Sequence, residues 1–235
     1  MKSIAAVLVL ALVAAGQPAF AEKPTIAVAE FSNRATGVYW WSGGVGDELA
    51  GMVSNELSNT GSFRVVERAN LGAVLTEQDL AAAGRINPST SAKIGQMTGA
   101  QYLVMGTVTA FESNVQSTGG GISIGGISIG GKKEDAYLAI DLRVVDTTTG
   151  EIAHSRTVEG RTSGTGFDLG VFRSGFGGRL SNESKTPAGK AIRAAIIEIT
   201  DYLECVMITG GSCEGEFQAK EQKRRSGLKN MLKLD

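Results

Sequence analysis

The sequence predicts a mixed α/β (α+β) domain from which two glycine-rich β-hairpins extend. Hairpins of this kind close a transmembrane β-barrel only together with those of other subunits. Three observations carry this reading. Short apolar runs interleave with helical periodicities through the first half of the chain. Strands alternating with a period of two occupy much of the second half. Glycine, 32 of 235 residues against 4 prolines, concentrates in residues 119–131 and 160–178.

The first segment stands outside the fold. Lys2 precedes an unbroken apolar run over residues 4–15, and Ala19-Phe20-Ala21 forms a small-x-small cleavage site before Glu22. This is the layout of a secretory signal peptide, and its run is too short to span a bilayer as a helix. Residues 1–21 are therefore expected to direct export. Glu22, not a cysteine, stands directly after the cleavage site, so the acyl-anchored start of a lipoprotein is not expected. A formal net charge of −1 argues against nucleic acid as a partner. The two cysteines, Cys205 and Cys213, can pair in an oxidising compartment and pin a helix end to the tail; two free thiols are the other reading.

Residues 22–111 read as the α/β domain. Residues 25–31 (TIAVAEF) form a short buried strand, followed by a loop over 32–46 containing Tyr39-Trp40-Trp41. Residues 47–59 place Leu49, Met52, Val53, Glu56 and Leu57 at helical spacing, closed by Thr60-Gly61. A strand is expected at 63–66. A helix is expected at 68–83, with Leu71, Val74, Leu75 and Leu80 in its pattern. A short helix should begin at 88–91, with Ile94 and Met97 on its inner side. Residues 101–111 (QYLVMGTVTAF) form a strong strand. Gly43-Gly44-Val45-Gly46 precedes a helix but lacks the lysine of a P-loop and the context of a dinucleotide fingerprint.

Beyond residue 111 the texture changes. Residues 112–146 are expected to form a first hairpin. Within its return strand, Leu138, Ile140, Leu142 and Val144 share one face, and Tyr137, Asp141 and Arg143 the other. The repeat Ile-Ser-Ile-Gly-Gly carries Ile122, Ile124, Ile127 and Ile129 at a period that swaps faces in a straight strand. Two geometries repair this. Gly125-Gly126 forms a tight turn that puts the four isoleucines on one face, or it forms a bulge in one long strand. The bulge is preferred, because it puts Lys132-Lys133-Glu134-Asp135 at an aqueous tip, where four consecutive charges are at ease. A second hairpin is expected over 147–186, where Phe167, Leu169 and Val171 alternate and Phe172 follows among glycines. Residues 187–208 read as a C-terminal helix of the domain and 209–235 as a basic tail. Four strands cannot close a barrel, and open edges are forbidden in lipid. A homo-oligomeric ring in the outer membrane is therefore required by the membrane-strand reading. A flexible Gly/Ser loop is the alternative for these stretches.

Nothing in the sequence assembles a catalytic site. His154 is the only histidine, no cysteine lies at ligand spacing from it, and no serine sits in a nucleophile elbow. No enzyme activity, metal or cofactor is expected.

Glu112-Ser113-Asn114-Val115, Leu142-Arg143-Val144-Val145, Thr149-Gly150-Glu151-Ile152 and Gly170-Val171-Phe172-Arg173 occur in series around the two hairpins. In these the chain resembles the CsgG family of curli secretion channels, over about residues 24–208. The resemblance implies a ring of identical subunits, each giving two hairpins to a shared barrel. That barrel would conduct secreted, unfolded polypeptide, with periplasmic accessory proteins as further partners. It also implies that the 32–46 loop narrows the pore, with Tyr39, Trp40 and Trp41 as constriction residues and Trp41 nearest the family's ring-forming aromatic. Two features depart from the family pattern: no asparagine neighbours Trp41, and the acylated cysteine is missing. A soluble periplasmic module that contacts an envelope partner is the alternative function.

Overall fold

The computed structural model describes residues 22–117, 122–124, 127–129, 132–162, 180 and 186–233. The expected signal peptide, and Phe167, Leu169, Val171 and Phe172 of the second hairpin, lie outside the described residues.

Strand β1 (Thr25–Val28) is wholly buried and pairs in parallel with β3 (Arg64–Val65) on one side and β4 (Tyr102–Ser117) on the other. Strand β2 (Ser32–Asn33) also runs parallel to β4, at Thr107 and Val108. Helix α1 (Val45–Thr60) crosses between β2 and β3, as parallel strands require. Gly44 precedes it at φ 86° and Gly61 closes it at φ 69°, two left-handed positions where glycine is strain-free. Asp47 and Glu48 occupy its first turn, where carboxylates favour the helix dipole. The glycine cluster before α1 is thus a helix start.

The rest of the main sheet is antiparallel. β4 pairs with β7 (Lys132–Asp146), and β7 with the edge strand β8 (Ile152–Thr162). Helix α3 (Pro187–Glu204) lies across β7 and β8, begun by Thr186, whose Oγ1 accepts from the Gly189 amide at 3.1 Å. Cross-strand rows explain the packing. Val108, Ile140 and Val158 align, as do Gly106, Leu142 and Arg156. Gly106 leaves the space that the Phe31 ring fills, and Gly160, opposite Leu138, lets β8 approach the backbone of α3 at Ala191. The helices seal this face with Leu49, Val53, Ile192, Ile196 and Ile199. The other face carries Met105, Arg143 and Ser155 in one exposed row.

Several expectations are corrected. Lys132 to Asp135 are not a tip: they lie within β7, paired with Ser117 to Asn114 of β4. Strands β5 (Ile122–Ile124) and β6 (Ile127–Ile129) pair antiparallel, with Ile122 opposite Ile129 and Ser123 opposite Ser128. With Ile124 opposite Ile127, that register is the antiparallel pairing that the charge argument disfavoured. Cross-strand pairing within a short hairpin outweighed the preference of the charges for a free end. No helix forms at 88–97; Ile94 and Met97 are exposed. Helix α2 (Leu71–Ala82) is present, but Val74 and Leu75 face solvent and Gln78 is its buried residue. Helical periodicity here does not mark a core face within one chain. Helix α3 gives way to a π-helical turn at Cys205–Thr209, and the tail is ordered as helix α4 (Ser212–Leu232).

Candidate functional site

Two sites follow from this frame, one at the aromatic loop and one at the edge strand. The loop begins as a second parallel partner of β4. The Ser32 and Thr107 hydroxyls bond at 2.9 Å, and the amides of Arg34 and Ala35 both donate to the Val108 carbonyl. The β4 ladder is irregular between Val108 and Ala110, after which Phe111 lies opposite Leu138. Three rings then converge. Tyr39 meets Phe111 edge-on at 5.7 Å between centroids and 68°, and Trp40 meets it at 5.5 Å and 86°. Trp41 stacks obliquely on Trp40 at 5.9 Å.

Exposure separates the three loop aromatics. Tyr39 is 63% exposed and Trp40 only 6%, while Trp41 is half-buried against the core. Within the single chain Trp40 is therefore packed into the core beside Phe111. Its indole N–H is buried without an acceptor among the described residues. Sequence reasoning missed Phe111, since one aromatic in a strong strand carries no signal of what it faces.

At the edge strand, β8 turns His154 and Arg156 towards the core side, opposite Val144 and Leu142. Two polar side chains at such positions need cover, and α4 supplies it. The Arg156 guanidinium lies over Phe217 at 4.8 Å and Tyr202 at 5.5 Å. It donates to the Phe217 carbonyl at 2.6 Å and reaches Glu198 at 3.6 Å, with its side chain only 9% exposed. Lys220 of α4 pairs with the same Glu198 at 3.2 Å. A disulfide between Cys205 and Cys213, with Cα atoms 5.9 Å apart, ties the end of α3 to the start of α4.

Burial lowers the His154 pKa, the nearby Glu214 opposing it. Tyr137, on the other face, is pushed up to about 12 by burial and by its 2.9 Å hydrogen bond to Glu159. Arg224 holds the Glu221 carboxyl below the usual range through a direct hydrogen bond. A cleft of about 780 Å³ beside α4 is lined by Asp141, Arg143, His154, Arg156, Glu214 and Arg225. Its mixed charges do not select an ion of one sign. Among the described residues no acidic, histidine or cysteine cluster suits a metal ion, and no helix is long and apolar enough to cross a membrane.

The chain is thus a two-layer α+β domain, extended by a two-stranded arm and carrying an aromatic loop. The profile of the curli production assembly/transport component CsgG matches residues 8–232, and the chain belongs to this family. The family is one of transport components, not of enzymes, and its members are exported to the cell envelope. The chain is 28% identical over 137 residues to the CsgG proteins of Escherichia coli K12 and Salmonella typhimurium LT2. The match covers 57% of this chain and 50% of theirs, so the chain spans about half the length of those curated relatives. A protein of Neisseria meningitidis serogroup B described as a lipoprotein is 29% identical over 184 residues, 76% of this chain and 74% of that one. Among solved structures, a Chlamydia trachomatis protein of hypothetical function aligns over 77% of this chain and 96% of its own, at 15% identity and TM-score 0.44.

Proposed function

We propose that the chain is one subunit of an oligomeric outer-membrane pore that passes unfolded, secreted polypeptide without catalysis. One observation carries this reading. β4 and β7 run on together from the domain, pairing from Tyr102↔Asp146 to Ser117↔Lys132 with one irregularity at Val108/Ala110. Among the described residues the outer length of this arm has no strand on either backbone edge, and open edges are stable in lipid only when closed by neighbours. Family membership supports a transport role. The exposed apolar side chains Val74, Leu75, Ile94 and Met97 support contact between copies. In the ring, Tyr39 and Trp41 are the loop aromatics available to narrow the channel.

Planar-bilayer recording on detergent-extracted oligomer tests the proposal. Stepwise ion conductance is expected, and Tyr39→Ala should raise it. A protein that stays monomeric in detergent and lipid and never conducts overturns the reading.

A second reading, a soluble periplasmic module that contacts an envelope partner, is favoured by the polarity of the arm. Asn114 pairs with Asp135, Gln116 with Lys133 and Ser117 with Lys132. Charged residues so placed are at home in water. Release by osmotic shock selects this reading, whereas sedimentation with outer membranes selects the pore.

A further inference from the structure

We infer that Phe111 is the positioning residue of the aromatic loop, coupling the pose of Tyr39 and Trp41 to the strand that continues into the arm. The inference rests on the pore reading for its consequence, though not for its geometry. Residues 32–46 are joined to β4 at two successive levels. The lower level is made of hydrogen bonds: Ser32 to Thr107, and the Arg34 and Ala35 amides to the Val108 carbonyl. The upper level is made of rings alone. Phe111 receives Tyr39 and Trp40 edge-on, and Trp41 is held through Trp40.

Between the two levels lies the irregularity at Val108/Ala110, where a ladder bends and twists most readily. A change of tilt in the outer part of β4 therefore moves Phe111 relative to Thr107. The loop, fixed to β4 at both levels, must follow. Trp40 makes no directional bond of its own within the described residues, so ring packing is what fixes its place. The exposed ring of Tyr39 is thereby held at a set distance from the root of the arm. Aperture and barrel geometry become one mechanical unit, and Phe111 is the joint between them.

The chain offers a direct probe. Its two tryptophans are Trp40 and Trp41, so intrinsic tryptophan fluorescence reports this loop and nothing else. In Phe111→Leu, acrylamide quenching is expected to rise at least twofold with a red-shifted emission, while Phe111→Tyr, which keeps the ring, stays close to wild type. Unchanged quenching in Phe111→Leu overturns the inference. Should Phe111→Leu fail to fold by circular dichroism, Tyr39→Leu, which removes one ring contact from the loop's side, is expected to raise quenching in the same way, and an unchanged signal overturns the inference equally. In bilayers, Phe111→Leu should alter single-channel conductance, and adding Tyr39→Ala to it should change little more. Fully additive changes would show that Phe111 does not act through Tyr39. A wild-type protein that does not conduct removes the pore reading, and the quenching result then decides the coupling by itself.

Discussion

Arg156 shows how one polar residue at a core-facing position organises a whole region. Opposite Leu142, its side chain cannot reach bulk water without leaving the sheet, and it stacks with Tyr202 and Phe217 and pairs with Glu198. Arg156→Met keeps the stem but removes the hydrogen bond to the Phe217 carbonyl. A loss of about 2 kcal/mol is expected, the scale of a hydrogen bond made by a charged group. Thermal unfolding should register it, and limited proteolysis should begin within α4. His154, on the same side of β8, makes stability depend on pH. Burial holds its pKa below the ordinary 6.5, so between that lowered value and 6.5 the unfolded chain binds more protons than the folded one. Stability therefore falls as pH drops through this window. Below 4.5 the depressed Glu221 carboxyl adds a loss of the same sign. In His154→Gln the melting temperature should vary less with pH just under 6.5, which a series of thermal melts would read.

The helix α4 is the element whose order the sequence signals least. Its composition is that of a solvated basic tail, yet it lies beside β8, the last strand of the sheet among the described residues. The disulfide sets its direction by closing a loop of sequence separation 8 around the π-helical turn and Gly210-Gly211. In the chain-entropy view a loop of that length stabilises by about 2.5 kcal/mol. The double variant Cys205→Ser, Cys213→Ser should lower the denaturation midpoint accordingly. It should also speed amide exchange in α4 well before α3, because α3 keeps its own core contacts through Ile192, Ile196 and Ile199.

For the molecule as a whole, the apolar surface it leaves uncovered is as informative as its core. Val74 and Leu75 stand on α2 with exposed side chains, and Ile94 and Met97 follow on the irregular segment that rejoins β4. If copies associate through this surface, Leu75→Glu should shift the population from oligomer towards monomer at equal concentration, while far-ultraviolet dichroism stays unchanged. Light scattering would read the shift, and an unaltered mass distribution would exclude Leu75 from the contact.

What the residues determined by themselves was local: the alternation of Leu138, Ile140, Leu142 and Val144, the spacing of Leu49, Met52, Val53 and Leu57, and the helix stop at Gly61 each reflect geometry within a few residues. The family, too, was legible in short motifs flanking the arm. Only the tertiary structure decided which aromatic is buried, which helix face lacks a partner, and where the charged run at Lys132 sits. Those depend on contacts between segments far apart in sequence. Trp40 is interior because Phe111 comes to meet it, Val74 is exposed because none of the described residues covers it, and Lys132 lies in a strand because Ser117 pairs with it.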